Sequence, residues 1–104
     1  MARFQVFAQP GKAGYLLDVQ SELIDIARTR VVVPLMPAKR MPPAIARLHP
    51  VFEIGGDDVV MATHLIATVP TSILTEPRGD LSAEGDKITA ALDMLFQGFC
   101  DRRP

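Results

Sequence analysis

The sequence predicts a mainly β protein: a small, curled, mostly antiparallel sheet or open barrel with one helix packed on it. Three features predict this fold: several short segments of alternating apolar and polar residues, a Gly-Gly-Asp turn between two of them, and one amphipathic segment near the end. One helix cannot cover both faces of a flat sheet, so a curled sheet fits the pattern better. The apolar surface left uncovered favours a homodimer.

The first half of the chain contains three predicted strands. Residues 3–8 alternate in polarity and residues 15–20 are again extended, while the glycines between them predict an antiparallel hairpin. Val31–Val33 is wholly apolar and β-branched, which predicts a central strand buried on both faces. Pro34 has no N–H to donate, so we expect the pairing of this strand to end there.

The second half adds a hairpin and several connections. Four prolines between residues 35 and 50 predict a long surface connection with at most one helical turn, near Ala44–Ala46. Gly55–Asp57 is the strongest hairpin signal in the chain and joins the predicted strands 51–54 and 58–62. The pattern further predicts a strand or helical turn at 65–69 and a loop over 70–79.

The last segment is a helix with one apolar face. Apolar residues recur with helical spacing at Ile88, Ala91, Leu92, Leu95, Phe96 and Phe99. Asp80 or Ser82 is the expected N-cap. The last turn, with Gly98 and Phe99, is expected to project from the body. Gly98 is interpreted either as a glycine that stops the helix, with Phe99 folding back, or as part of an exposed aromatic contact.

Composition limits the function classes. The chain has 104 residues and a formal net charge of −1, which predicts one globular domain without the excess of Lys and Arg typical of a nucleic-acid binder. Its only cysteine, Cys100, excludes an intramolecular disulfide and a multi-cysteine metal site. No cofactor or metal motif is present, and without a leader or a long apolar run the chain is expected to be cytoplasmic.

A few polar residues are candidates for chemistry. His49 and His64 are each either a general base or an ordinary turn histidine. Carboxylates cluster at Asp18, Glu22 and Asp25, and with Arg28 or Arg30 nearby they could cleave RNA by acid–base chemistry or form an ordinary polar turn. Met36 and Met41 flank the basic loop 37–40, which either docks an acidic peptide or is simply solvated.

Several motifs, taken in order, resemble the CcdB family of toxins from toxin–antitoxin modules. They are residues 17–25 (Leu-Asp-Val-Gln-Ser-Glu-Leu-Ile-Asp), 30–35 (Arg-Val-Val-Val-Pro-Leu), 50–55 (Pro-Val-Phe-Glu-Ile-Gly), 69–70 (Val-Pro), 80–82 (Asp-Leu-Ser) and 91–99 (Ala-Leu-Asp-Met-Leu-Phe-Gln-Gly-Phe). The resemblance implies an SH3-like barrel of the CcdB/MazF toxin type over residues 1–99, a polar tail over 100–104, and a homodimer.

The resemblance also implies a function. Such toxins bind the DNA gyrase A subunit and trap the gyrase–cleaved DNA complex, so the chain itself would not be an enzyme. The implied gyrase-facing residues lie on the first strand, after the second strand and at the helix end: Phe4, Phe7, Ser21, Leu23, Ile24, Asp93, Gln97, Gly98 and Phe99. Gly98 would let the backbone approach the target closely. Well-known members end in Trp-Gly-Ile, whereas this chain has Gln97-Gly98-Phe99 and five further residues.

The partner implied by the resemblance is an antitoxin whose disordered tail folds over the toxin. Residues 8–14 and 37–43 are the candidate contacts, and DNA would be reached only through gyrase or the antitoxin, with no membrane involved. Two other functions remain open: an endoribonuclease on the same fold, and a degenerate module that binds antitoxin without poisoning. A gyrase poison needs the Gly98–Phe99 terminus, whereas a nuclease needs an Arg with a carboxylate or His in a basic groove.

Overall fold

Seven antiparallel strands and one α-helix form the fold in the computed structural model, which describes residues 2–24 and 28–98. The strands are β1 (Gln5–Ala8), β2 (Tyr15–Asp18), β3 (Thr29–Pro37), β4 (Val51–Ile54), β5 (Asp57–Met61), β6 (Ala67–Pro70) and β7 (Pro77–Asp80), and the helix is α1 (Gly85–Gln97). They form one sheet in the order β4-β5-β3-β2-β1-β7, with β6 also paired to β3. The mainly β fold with a C-terminal helix is therefore confirmed.

Strand β3 is the centre of the sheet and pairs with three strands. Leu35 lies opposite Tyr15 of β2 on one edge and Met61 of β5 on the other. Val32 in turn lies opposite Asp18 of β2 and Ala67 of β6. Strands β5 and β6 therefore share one edge of β3, and a 3-10 turn at Thr63–Leu65 fills the break between them. Residues 65–69, which the sequence predicts to be either a strand or a helical turn, contain the end of this 3-10 turn and most of β6.

The prediction that Pro34 ends the pairing of its strand is wrong. Pro34 lies opposite Leu16 in the middle of a nine-residue strand. The N–H of Val19 donates to Val31 O, so by alternation Pro34 occupies a non-hydrogen-bonded position relative to β2. On its other edge Pro34 only accepts a bond, from the N–H of Ala62 at 2.9 Å. The missing N–H thus faces the break between β5 and β6, where it costs no ladder bond.

The predicted hairpins are confirmed. Strands β4 and β5 are joined by Gly55 and Gly56, whose φ angles of 59° and 88° are those of a two-residue type I′ turn. Strands β1 and β2 pair from Val6–Leu17 to Ala8–Tyr15. In the connection between β1 and β2, Gly14 has φ of 95°, and a Cβ there would lie 2.4 Å from Leu35 O. Any other residue at this position would be strained by both its backbone and its side chain.

The expectation of a simple loop over residues 70–79 is corrected. A 3-10 turn at Thr71–Ile73 is followed by β7, which pairs with β1 across a register shift. The sequence of β7 has no apolar alternation, and all four of its residues are exposed. Its strand structure therefore comes from backbone pairing with β1. Between these two elements, Leu74 is buried and covers the second face of the sheet.

Both faces of the sheet are therefore buried, each in a separate apolar cluster. Val33 packs in the larger cluster with Ile88 and Ala91 of α1, whereas the adjacent Val32 packs in the smaller cluster beneath Leu74. Complete burial of a side chain such as Ile88 contributes about 1.5–3 kcal/mol. The prediction that Val31–Val33 is buried on both faces is confirmed for Val32 and Val33.

Helix α1 begins later than either expected N-cap, Asp80 or Ser82, suggests. The carboxylate of Asp80 accepts the N–H of Ser82 at 2.7 Å, but this bond starts a 3-10 turn at Ser82–Glu84. The α-helix begins at Gly85, where a Cβ would lie 3.1 Å from the ring of Phe4. Glycine at this position therefore leaves room for the aromatic ring. No helix in the described part of the chain is long and apolar enough to cross a membrane.

Candidate functional site

The C-terminal end of α1 is exposed, although the spacing of its apolar residues predicts one packed face along the whole helix. Ile88 and Ala91 are completely buried, Leu92 and Leu95 are half-buried, and the side chain of Phe96 is 70% exposed. One apolar face thus begins inside the core and ends in solvent. The predicted site residues Asp93 and Gln97 are exposed on the same two turns, whereas Phe99 lies outside the described residues.

Gly98 ends the helix in a conformation that suits glycine. Its φ is 88°, and its N–H donates to Met94 O at 2.9 Å, which closes the last turn. Among the described residues, nothing lies within 4 Å of a Cβ built at this position. A larger residue would therefore meet a backbone penalty but no steric barrier from the rest of the fold. The described part of the fold thus leaves the space beside Gly98 open.

A second exposed apolar surface follows β2. The side chains of Leu23 and Ile24 are 92% and 53% exposed, the former being the largest exposure among the large apolar side chains of the described residues. The N–H of Leu23 donates to Ser21 Oγ and the N–H of Ile24 to Ser21 O, each at 3.1 Å. The predicted site residues Ser21, Leu23 and Ile24 therefore form one tight turn that carries two aliphatic side chains into solvent.

The two predicted phenylalanines differ in accessibility. Phe4 is partly buried against Gly85, with the guanidinium of Arg3 4.5 Å from its ring centroid. Phe7 is 3% exposed in the smaller apolar cluster beneath Leu74. The 12 residue steps of α1 span about 18 Å, so Phe4 lies at the opposite end of the helix from Gln97. The structure thus does not bring Phe4 and the helix end together within one chain, and it places Phe7 inside the fold.

The acidic candidates separate into buried and exposed groups. Asp18 and Arg30 are 0% and 1% exposed and form a bidentate pair, with Nε–Oδ2 and Nη2–Oδ1 distances of 2.8 and 2.9 Å. Glu22 is exposed and accepts the N–H of Arg3 at 3.3 Å. Arg28 is exposed, whereas Asp25 lies outside the described residues. The buried pair has no access to an RNA backbone, and its role is structural.

The imidazole rings of His49 and His64 are in contact. The sequence did not predict this contact, because the two residues lie 15 positions apart. His49 is buried and its Nε2 lies 3.1 Å from Nδ1 of the exposed His64. His49 Nδ1 accepts the backbone N–H groups of Ala44 and Ile45, at 3.4 and 3.2 Å. These partners assign the hydrogen of His49 to Nε2 and the hydrogen of His64 to its Nε2. Burial, and secondarily the charge of His64, lower the pKa of His49.

Parts of the two segments expected to contact an antitoxin, residues 13–14 and 37–39, line one groove. Its volume is about 550 Å³, and its walls are residues 13–15, 37–39 and 56–59. Met36 lies in β3 rather than in the loop, while Lys39 and Arg40 are exposed. The contribution of the Gly55–Gly56 hairpin to this groove was not predicted, because only the sheet register places it beside β3.

A second groove was missed at the sequence level. It also measures about 550 Å³ and lies between residues 46–51 and α1, with Arg47, Asp86 and Lys87 at its rim. No spacing in the sequence links these two segments. No group of three His, Cys, Asp or Glu residues in the described ranges is placed to hold a metal ion.

Two solved structures have the same fold as this chain. A mycobacterial endoribonuclease in complex with its cognate antitoxin has the same fold, with a TM-score of 0.74 and 20% identity over 92% of this chain and 94% of that chain. A second mycobacterial endoribonuclease gives a TM-score of 0.71 and 22% identity over 100% and 95% of the two chains. The fold is that of toxin–antitoxin proteins.

The family follows from the sequence. The family model of the CcdB protein matches residues 3–98, and the chain belongs to the CcdB family. It is therefore a CcdB family toxin of a toxin–antitoxin system. The expectation that the chain is not an enzyme is corrected, because both of these solved structures are described as endoribonucleases.

Proposed function

We propose that this toxin acts on the DNA gyrase A subunit through the end of α1 and traps the gyrase–cleaved DNA complex. One observation carries the proposal: the apolar face of α1 continues past the core, so that the side chain of Phe96, two residues before Gly98, is 70% exposed. Exposed aromatic side chains supply much of the binding energy in protein interfaces. Membership of the CcdB family supports gyrase as the target.

The charges of the chain also support a protein target. With a net charge of −1, the chain lacks the electrostatic attraction that RNA binding normally uses. The Arg and carboxylate that a nuclease would combine are buried against each other in the Asp18–Arg30 pair. The helix end instead combines an exposed ring with a glycine that lets a partner backbone approach.

A supercoiling and cleavage assay with purified gyrase tests the proposal. We expect wild-type protein to accumulate linear DNA covalently linked to gyrase, and Phe96→Ala to reduce this by about tenfold or more, as expected for an interface hot spot. Ile45→Ala is the matched control, since Ile45 is also an exposed apolar residue, with 45% exposure, far along the chain. Equal loss in both variants, or no linear DNA with folded wild-type protein, would reject the proposal.

RNA cleavage is the second candidate, and the likeness of the whole fold to endoribonuclease structures favours it. The imidazole pair gives it a possible phosphate contact, because the assigned hydrogen on His64 Nε2 can be donated to a phosphate oxygen. The same tautomer leaves His64 without a free acceptor nitrogen, so the general base would have to come from elsewhere. Cleavage of a mixed RNA by wild type, lost in His64→Ala and kept in Phe96→Ala, would select this candidate.

We further propose that the antitoxin tail occupies the groove between residues 13–15, 37–39 and 56–59. The groove unites parts of the two segments that the sequence suggested, and it carries both signs of charge, Lys39 against Asp57 and Asp58. Lys39→Glu should weaken antitoxin binding while leaving the gyrase activity unchanged. Calorimetric titration with a synthetic antitoxin tail would measure this, and undiminished affinity would place the tail elsewhere.

A further inference from the structure

We propose that Gln20 and the buried Asp18–Arg30 pair are positioning residues that hold Leu23 and Ile24 ready for the protein partner. This inference rests on gyrase being the proposed target, extends the contact from the end of α1 to Leu23 and Ile24, and adds residues that do not touch gyrase themselves. It starts from an unusual combination: the most exposed large aliphatic side chain of the described residues lies a few residues from a fully buried ion pair. The hydrogen bonds between these groups connect the two features.

Both ends of the exposed turn are bound to the same set of side chains. At the beginning, the N–H of Gln20 donates to Asp18 Oδ1 at 3.0 Å, and Gln20 O accepts a bond from Arg30 Nη2 at 3.2 Å. At the end, Ile24 O accepts bonds from the amide nitrogen of Gln20 and from Arg30 Nη1, the latter at 3.5 Å. The turn is therefore closed by Arg30 and Gln20 together.

Gln20 also fixes the turn to the sheet. Its Oε1 accepts the N–H of Val31 in β3 at 3.0 Å, while its amide nitrogen donates to Ile24 O. One side chain thus links the central strand directly to the exposed turn. Arg30, with one side of its guanidinium on Asp18, directs its remaining donors at carbonyl oxygens of the turn.

A buried ion pair is a poor source of stability by itself, because desolvation offsets most of the attraction between the charges. The pair instead fixes geometry, because the guanidinium of Arg30 holds the backbone carbonyl groups of Gln20 and Ile24 in place relative to β2. A turn that is already ordered loses little conformational entropy when it binds, so its apolar side chains contribute more of their burial to affinity. The chemistry at the tip, two aliphatic side chains, fits an apolar pocket of a protein partner.

A double-mutant cycle on the affinity for purified gyrase A subunit tests this inference. Gln20→Met keeps the length of the side chain and removes both of its hydrogen bonds, and we expect it to raise Kd about tenfold. In a Leu23→Ala background the same change should have little effect, because the contact that Gln20 positions is already lost. Gln20→Glu keeps the acceptor for Val31 but not the donor for Ile24, and it should resemble Gln20→Met.

Two controls separate positioning from loss of folding and from failure of the target assignment. Ser72→Ala alters an exposed side chain elsewhere and should leave Kd unchanged, and all variants are compared at equal folded fraction by circular dichroism. Wild-type binding with an unchanged Kd in Gln20→Met, or a purely additive cycle, overturns the positioning role alone. No binding of folded wild type to gyrase A overturns the proposed target and this inference with it.

Discussion

The fold contains two polar clusters that each hold a connection against the sheet, and they differ in chemistry. The Asp18–Arg30 pair is charged, bidentate and completely buried, and it holds the turn that ends at Ile24. The His49–His64 pair joins a buried imidazole to an exposed one, and it holds the turn that begins at Ala44. The comparison teaches that the same structural task can be carried out by polar groups of different chemistry.

The two clusters hold their turns through different hydrogen-bonding roles. The first cluster holds its turn with N–H groups of the Arg30 guanidinium, which only donate hydrogen bonds. In the second cluster, His49 Nδ1 must remain unprotonated to accept the N–H groups of Ala44 and Ile45. Protonation would place a hydrogen where an acceptor is needed. The long connection after β3 is therefore the part of the fold that acid should loosen first.

The largest effect is expected from removing one member of the ion pair. Asp18→Ala should lower the free energy of unfolding by about 3–5 kcal/mol, because it leaves the charge of Arg30 buried and unpaired. Urea denaturation at pH 7.5 measures this. Asp58→Ala is the control, since Asp58 is exposed, and its effect should stay within about 0.5 kcal/mol. Similar values for both variants would mean that the buried pair is not a structural link.

Truncating the buried histidine should have a smaller but clear effect. His49→Ala removes the acceptor for two backbone N–H groups and should cost about 1–3 kcal/mol in the free energy of unfolding. His64→Ala leaves those two bonds in place, so its cost should be lower. The difference between the two variants at pH 7.5 is the measurement. If His64→Ala were the more destabilising, the backbone bonds of His49 would not be what holds the turn.

Thr63 provides a third and weaker link to the same connection. Its hydroxyl donates to Leu48 O at 2.6 Å, and the residue is fully buried. Thr63→Val keeps the shape of the side chain and should cost about 1 kcal/mol. Amide hydrogen exchange of residues 44–49 should rise with it. Thr75→Val, at an exposed position, should change neither quantity, and equal exchange in wild type and Thr63→Val would exclude this link.

The pH dependence of stability should be the smallest effect and the most specific one. Because the pKa of folded His49 is lowered from its ordinary value of 6.5, the unfolded chain binds a proton first as pH falls. The free energy of unfolding should therefore be flat above about pH 7.5, decrease as pH falls through 6.5, and level off below the folded pKa. Denaturation at pH 7.5, 6.5 and 5.5 checks this.

The slope should disappear in His49→Gln, and a slope that persists would belong to another group. The pKa of Asp80 is also lowered, chiefly by its hydrogen bonds with Ser82. That carboxylate contributes stability above its ordinary value of 3.8 and loses it only at lower pH. Measurements above pH 5 thus separate the histidine from the carboxylate.

Residue patterns predicted most of the elements but not their neighbours. The Gly55–Gly56 turn and the face of α1 could be predicted because both depend on local rules, the positive φ of glycine and a helical repeat. Strand β7 could not be predicted, since its residues are all exposed and its structure comes from pairing with β1. The prediction that Pro34 ends its strand is wrong for a related reason. The cost of a missing N–H depends on whether a neighbouring strand offers an acceptor there, and at Pro34 the break between β5 and β6 offers none.

The residues of the candidate site likewise include some whose exposure the sequence indicated and others whose surroundings depend on distant segments. The projecting end of α1 and the exposed turn at Leu23 were both indicated by the sequence, and Phe96 and Leu23 are exposed in the fold. The burial of Phe7 could not be foreseen, because it depends on Leu74, almost seventy positions further along the chain. The meeting of His49 with His64 depends likewise on how the connection after β3 packs on the 3-10 turn at Thr63–Leu65.

The sequence by itself determined the fold class, the hairpins, the amphipathic helix and the CcdB family, because local periodicity, turn chemistry and motif order are properties of neighbouring residues. Only the tertiary structure decided which polar groups are buried together, which apolar side chains remain in solvent, and which segments line a common groove. Charge pairing and burial are set by distances through space between segments far apart in the chain. For Arg30 and Asp18, those distances turned two candidate catalytic groups into a support for the exposed turn.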